Sequence, residues 1–196
     1  MRMKTFAGML AGLLAATTLQ GCAGTAQIIS VAQQQSLQSL PLFRKDGSPR
    51  FSLELACNGE FVACNTTQHA FERWASARGI DMQMVPADAI SGHTDRRDAK
   101  PASSAPYRLA IEIAPLVVSS YNKVSIKGDD FQGGYTPPKV GYRATLYVFD
   151  VANGMQLREI PFHDEDVAKF KTDANVYLRA ELADVIGNLD PRYRFR

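Results

Sequence analysis

The chain has 196 residues, 45% hydrophobic and 21% charged, with Lys+Arg 22 against Asp+Glu 20. That is an ordinary globular composition of about one domain's length, which excludes collagen, a continuous coiled coil and global disorder. Two of the cations, Arg2 and Lys4, lie at the extreme N-terminus; once they are removed no basic surplus remains, and nucleic acid is excluded as a general partner.

Met1–Lys4 is short and positive, residues 6–19 are apolar and rich in Ala, Gly and Leu, and Leu19-Gln20-Gly21-Cys22 follows at once. An apolar run of about 14 residues falls short of the roughly 20 that span a bilayer core, so the segment reads as a cleaved secretory signal. Leu19-Gln20-Gly21-Cys22 resembles the lipobox of bacterial lipoproteins: an aliphatic residue, a tolerant position, a small residue, then cysteine. The resemblance implies that residues 1–21 are removed and that Cys22 carries a diacylglyceryl thioether and an acylated amino group. At roughly 0.8 kcal/mol per buried CH₂, several acyl chains hold a protein on a membrane effectively permanently. Ala23 after the cysteine, instead of Asp, implies transport to the outer membrane with the chain facing the periplasm; the inner membrane is the alternative.

Residues 22–49 combine Gln33-Gln34-Gln35-Ser36 with a turn-forming Arg44-Lys45-Asp46-Gly47-Ser48-Pro49 and read as a lipidated tether with one weak helix. From residue 50 to 196 a single periplasmic domain is expected. Phe51, Leu53 and Leu55 alternate with Ser52, Glu54 and Ala56, the pattern of a half-buried strand. Cys57 ends that strand and Cys64 follows after six residues, too many for a thiol oxidoreductase or zinc knuckle. In an oxidising compartment Cys57 and Cys64 form a disulfide that pins strand to helix; the alternative is two small buried thiols.

Asn65 with Gln68 predicts a helix start, Phe71, Trp74, Ala75 and Arg78 continue it, and Gly79 stops it before a strand at residues 80–85. Residues 87–106 show no apolar period and read as a solvated loop. Residues 107–118 form a long strand with Tyr107, Leu109, Ile111 and Ile113 on one face and Pro115 marking an edge or bulge. Residues 119–140 contain Gly128-Asp129-Asp130, Gly133-Gly134 and Pro137-Pro138, and form either a functional loop or an extended hairpin tip. Tyr121, Asp129, Asp130, Phe131 and Tyr135 are its candidate contact residues.

Tyr142, Ala144, Leu146 and Val148 mark a further strand, Asn153-Gly154 a tight hairpin turn, and residues 155–162 its antiparallel return. A helix from Thr172 or Asp173 to Ile186, with Leu178, Leu182 and Val185 inward, stops at Gly187-Asn188. The tail Arg192-Tyr193-Arg194-Phe195-Arg196 alternates cations with aromatics, as a strand meeting a sheet edge or an acidic partner would; a frayed end is the plainer reading.

His69, His93 and His163 are the only histidines, and only His163-Asp164-Glu165-Asp166 is dense in potential ligands. Its consecutive residues suit a solvated acidic bend better than a calcium or zinc site, so neither metal nor cofactor is expected. No nucleophile elbow, zinc-protease helix, phosphate loop or dinucleotide fingerprint occurs, and no catalytic residue is assigned.

The expected fold is α+β: a mostly antiparallel sheet with two helices packed on it. With the hydrophobic strand that ends in Asp150 and turns at Asn153-Gly154, this order resembles the domains of the curli-secretion lipoprotein, the penicillin-binding-protein activator and the Tol-propeller N-terminus. The likeness covers roughly residues 50–190 and departs at the 87–106 loop and the Cys57/Cys64 pair. It implies a non-catalytic accessory or adaptor that docks other envelope proteins or itself. A periplasmic module for a small molecule, glycan or lipid is the alternative, and a wall or glycan hydrolase using Asp129 or Asp130 the third.

Overall fold

The computed structural model describes residues 28–91, 104–118, 121–127, 130–167 and 174–195. Its main sheet has five strands: β1 (Phe51–Cys57), β2 (Met82–Met84), β3 (Tyr107–Val118), β6 (Lys139–Asp150) and β7 (Gln156–Val167), in the order β2-β1-β3-β6-β7. Between β3 and β6 the chain makes a separate two-stranded sheet from β4 (Tyr121–Lys127) and β5 (Asp130–Thr136). Four helices complete the described residues: α1 (Val31–Gln38), α2 (Phe61–Arg78), α3 (Ala87–Ser91) and α4 (Ala174–Leu189).

The expectation of a mostly antiparallel sheet with two helices is thereby corrected. β1 runs parallel to both β2 and β3, while β3–β6 and β6–β7 are antiparallel, so the sheet is mixed. The cause is the connection length: β1 reaches β2 through the whole of α2, and a helical crossover returns the chain in its original direction, as a short turn cannot.

Alternation along the strands divides the sheet into two faces. Leu53, Leu55, Leu109, Ile111, Ile113, Leu146, Val148 and Ile160 face α2 and α4, which cover them with Phe71, Trp74, Leu178, Leu182, Val185 and Ile186. On the other face a smaller cluster joins Ala56, Ala110 and Phe149 to Ile90 of α3. Residues 87–91 of the expected solvated loop are thus helical with Ile90 buried; a single apolar anchor leaves no period to read.

Other boundaries moved for local reasons. α2 starts at Phe61, not Asn65, so Cys64 lies inside its first turns, and its disulfide to Cys57 holds helix start against strand end at a Cα separation of 5.7 Å. Gly79 ends α2 in the left-handed region at φ +65°. β3 is a central strand, and Pro115 is accommodated because β1 pairs only as far as Ile113, leaving that stretch of β3 open on one side.

The hairpin between β6 and β7 turns over residues 151–155 instead of two residues, with Gly154 at φ +69°. The Asp150 carboxylate accepts the Ala152 N–H at 2.9 Å and the Asn153 side-chain amide at 3.2 Å, and a register shift at Val148/Phe149 absorbs the difference. α4 continues through Gly187 and Asn188 to Leu189; the Asn188 amide donates to the Asp184 carbonyl at 2.8 Å, keeping the last turn helical.

Candidate functional site

Cys22, Asp129 and Arg196 lie outside the described residues. Tyr121 opens β4, while Asp130, Phe131 and Tyr135 lie on β5. These two strands pair from Tyr121↔Thr136 to Lys127↔Asp130, beyond the point where β3 and β6 stop pairing at Val118↔Lys139. The resulting arm pairs with itself, in a sheet separate from the main one.

The C-terminal candidates sit beside a buried node that the sequence pattern does not reveal. Asp190 is 1% exposed; its carboxylate accepts the Trp74 indole N–H at 3.1 Å and the Arg78 Nε–H at 2.7 Å. Arg78 also donates to the Gly47 carbonyl at 2.8 Å and lies over the Phe43 ring. Asp190 therefore ties α2, the turn at residue 47 and the end of α4 together. Tyr193 and Phe195 pack on the core, edge to face at 5.3 Å, while Arg192 and Arg194 are exposed. The segment expected to be a tether is likewise docked from Ile28 onward: Ile29, Leu37 and Leu42 are buried, and Phe43 meets Phe51 at 5.5 Å.

The dense acidic run lies in β7, not in a bend. Alternation puts His163 and Glu165 on the outer sheet face and Asp164 and Asp166 on the helix-bearing face, with Asp164 registered to Tyr142 and Asp166 to Val140. Lys139 holds Glu165 at 2.7 Å and, by hydrogen bond and charge, keeps its carboxyl below the usual range. His69 pairs on α2 with Glu72 at 3.1 Å, and Gln68, then His69, hold Glu72 low; this is an exposed i,i+3 contact. His93 lies outside the described residues.

A shallow groove of about 520 Å³ crosses the outer face, lined by Asn58, Glu112, Arg143, Thr145, Pro161 and His163 among others. The sequence gives no warning of it, because its residues come from three strands and a loop. Among the described residues no group of three or more His, Cys, Asp or Glu converges as a metal site, and no helix is long and apolar enough to cross a membrane.

Comparison with known proteins returns no matching family and no matching curated protein. Among solved structures the chain is similar to the PelC dodecamer of Paraburkholderia phytofirmans, at 18% identity over 72% of this chain and 89% of that one, with a TM-score of 0.33. It is similar to lipoprotein GNA1162 of Neisseria meningitidis at 12% identity, over 70% of this chain and 99% of that one, with a TM-score of 0.31. A minor lipoprotein of Acinetobacter baumannii is 10% identical over 71% of this chain and 90% of its own, with a TM-score of 0.28. Two lipoproteins therefore stand among its distant structural neighbours; likeness at this level transfers no function.

Proposed function

We propose that this chain is a lipid-anchored envelope protein, held through Cys22 on the outer membrane and facing the periplasm. It acts without catalysis, by docking other envelope proteins or further copies of itself. The observation that carries the reading is the β4–β5 arm. A lone two-stranded hairpin is marginally stable in water, and β4 and β5 pair with each other in a sheet separate from the main one. A partner surface supplies the further strand or packing layer that such a hairpin needs. Replacing residues 122–135 by a short Asn-Gly turn should leave circular dichroism and melting temperature near those of the parent while abolishing partner or self cross-links in cells. Undiminished cross-linking by the shortened chain would reject the arm as the docking element.

The outer-face groove favours a second reading, a module for a small polar ligand, because it sets Glu112, Arg143, Thr145 and His163 around one concavity. Native mass spectrometry of protein taken from its own cells distinguishes the two: a retained adduct lost in Arg143→Ala supports the module, and bare protein counts against it.

A further inference from the structure

The helices α1, α2 and α4 all begin at the same end of the molecule. α2 follows the C-terminal end of β1 and is tied to it by the Cys57–Cys64 disulfide. α4 runs beside α2 in the same direction: the Thr66 hydroxyl donates to the Asn175 side-chain oxygen at 3.4 Å at the start of both helices, and Trp74 and Arg78 meet Asp190 just past the last turn of α4. α1 lies against β7 in the opposite sense to the strand. The Gln33 amide donates to the Pro161 carbonyl and Arg158 donates to the Ser39 hydroxyl, each at 3.2 Å, so the first turn of α1 is on the Val167 side. β1, β3 and β7 run in one direction, and their C-terminal residues Cys57, Val118 and Val167 mark this same end.

Most of the exposed large apolar side chains collect there. Val31 opens α1, Phe61 and Val62 open α2, Val176 lies in the first turn of α4 and Val167 closes β7; Phe61 is 82% exposed and the other four between 46% and 59%. Among the described residues only Met84 on the edge strand β2 and Met155 in the hairpin at the opposite end are comparable. First turns of helices favour acidic side chains, yet α1, α2 and α4 carry none there. A single exposed apolar residue needs no explanation, but five at one end mark a contact surface.

The length of chain before Ile28 says what that surface meets. Ile28 precedes the first turn of α1 and packs on the core. At roughly 3.3–3.6 Å per residue, residues 22–27 reach at most about 20 Å, whereas the 12-residue strands β6 and β7 are about 40 Å long. A lipid on Cys22 therefore holds the Val31 end against the membrane, and the leash is too short for the hairpin end to turn onto it.

We propose that this end is the membrane-facing surface of the protein, with Val31, Phe61, Val62, Val167 and Val176 at the headgroup–acyl boundary of the leaflet that holds Cys22, as the apolar face of an interfacial helix lies. The proposal rests on the lipid-anchored reading and adds a fixed orientation to it. It requires nothing of the β4–β5 arm.

The test uses the lipidated chain purified from membranes and placed in vesicles of phosphatidylethanolamine and phosphatidylglycerol, with the acyl groups on Cys22 verified by intact mass. Phe61→Trp and Met155→Trp each add one exposed indole to the fully buried Trp74, and emission is compared between ordinary lipids and lipids brominated near the top of the acyl chain. The added emission of Phe61→Trp should be quenched severalfold by the brominated lipids and that of Met155→Trp left unchanged. Replacing residues 122–135 by an Asn-Gly turn should alter neither, and adding Val62→Asp with Val176→Asp should relieve the quenching of Phe61→Trp while the chain stays on the vesicles. An acylated, vesicle-bound Phe61→Trp chain without quenching would overturn the orientation and leave the anchor standing. A chain with no acyl mass that does not hold to vesicles would overturn the anchor and the orientation with it. Equal quenching of Met155→Trp, or shielding of the Phe61→Trp indole by self-association of a Cys22→Ser form without vesicles, would also overturn the proposal, the latter giving this end to a second copy.

Discussion

Asp190 shows how one buried charge can organise a fold. Its carboxylate gathers the Trp74 indole and the Arg78 guanidinium, and Arg78 passes the connection to Gly47. Asp190→Ala should destabilise the protein by about 3–5 kcal/mol in urea denaturation, because it leaves a largely buried cation and an indole donor without their acceptor. A loss below about 1 kcal/mol would mean that water replaces the carboxylate. At the same scale, Gly141 is required by close approach: a Cβ there would collide with the Asp164 carbonyl oxygen on the neighbouring strand. Neither role is legible in sequence. Asp190 follows a helix like any capping residue, and Gly141 resembles a weak point in a strand, until the neighbouring strand and helix are in place.

Among the elements, β7 is the long edge of the sheet and would be an open template for pairing. Pro161 removes a donor at mid-strand, the Gln33 amide from α1 donates to the Pro161 carbonyl at 3.2 Å, and charged residues crowd its second half. The edge is thereby blunted against pairing with a further strand. The α4–β7 junction carries a pH dependence whose sign follows from Glu181. Its folded pKa is raised from 4.5 to about 7, so the folded chain holds a proton that the unfolded chain releases. Its stabilising contribution is complete below 4.5 and is lost as pH rises through about 7. Glu181→Gln should therefore match the parent in melting temperature at pH 4, exceed it at pH 8, and flatten the decline between. A parallel decline in both proteins would place the titration elsewhere. The strands β3, β6 and β7 were legible as alternation because each buries one face. The start of α2 and the last turn of α4 were not: the disulfide partner Cys57 and the node at Asp190 hold those ends from a distance, against the nearer Asn65 and Gly187 signals.

For the whole molecule, the lipobox reading and the docked segment from Ile28 onward define a geometry. Only about residues 22–27 separate the proposed lipid from a packed body, so the domain would stand close to the membrane instead of on a long leash. Cys22→Ser with an intact signal should partition to the soluble periplasmic fraction and lose in-cell cross-links to membrane-held partners. Retention in the membrane fraction would show attachment by some other means.

The sequence by itself determined what depends on nearest neighbours along the chain: the charge balance, the lipobox pattern, the alternation of three long strands, the inner stripe of α4 and a cysteine pair within bonding reach. Only the tertiary structure decided which strands pair and in which direction, that residues 28–50 belong to the packed body, and that Tyr142, Asp164 and Glu181 lie within electrostatic reach of one another. The reason is physical. Periodicity records which face of an element is buried, but strand direction depends on the length and packing of the crossover, and a charge cluster depends on helices and strands meeting across the core.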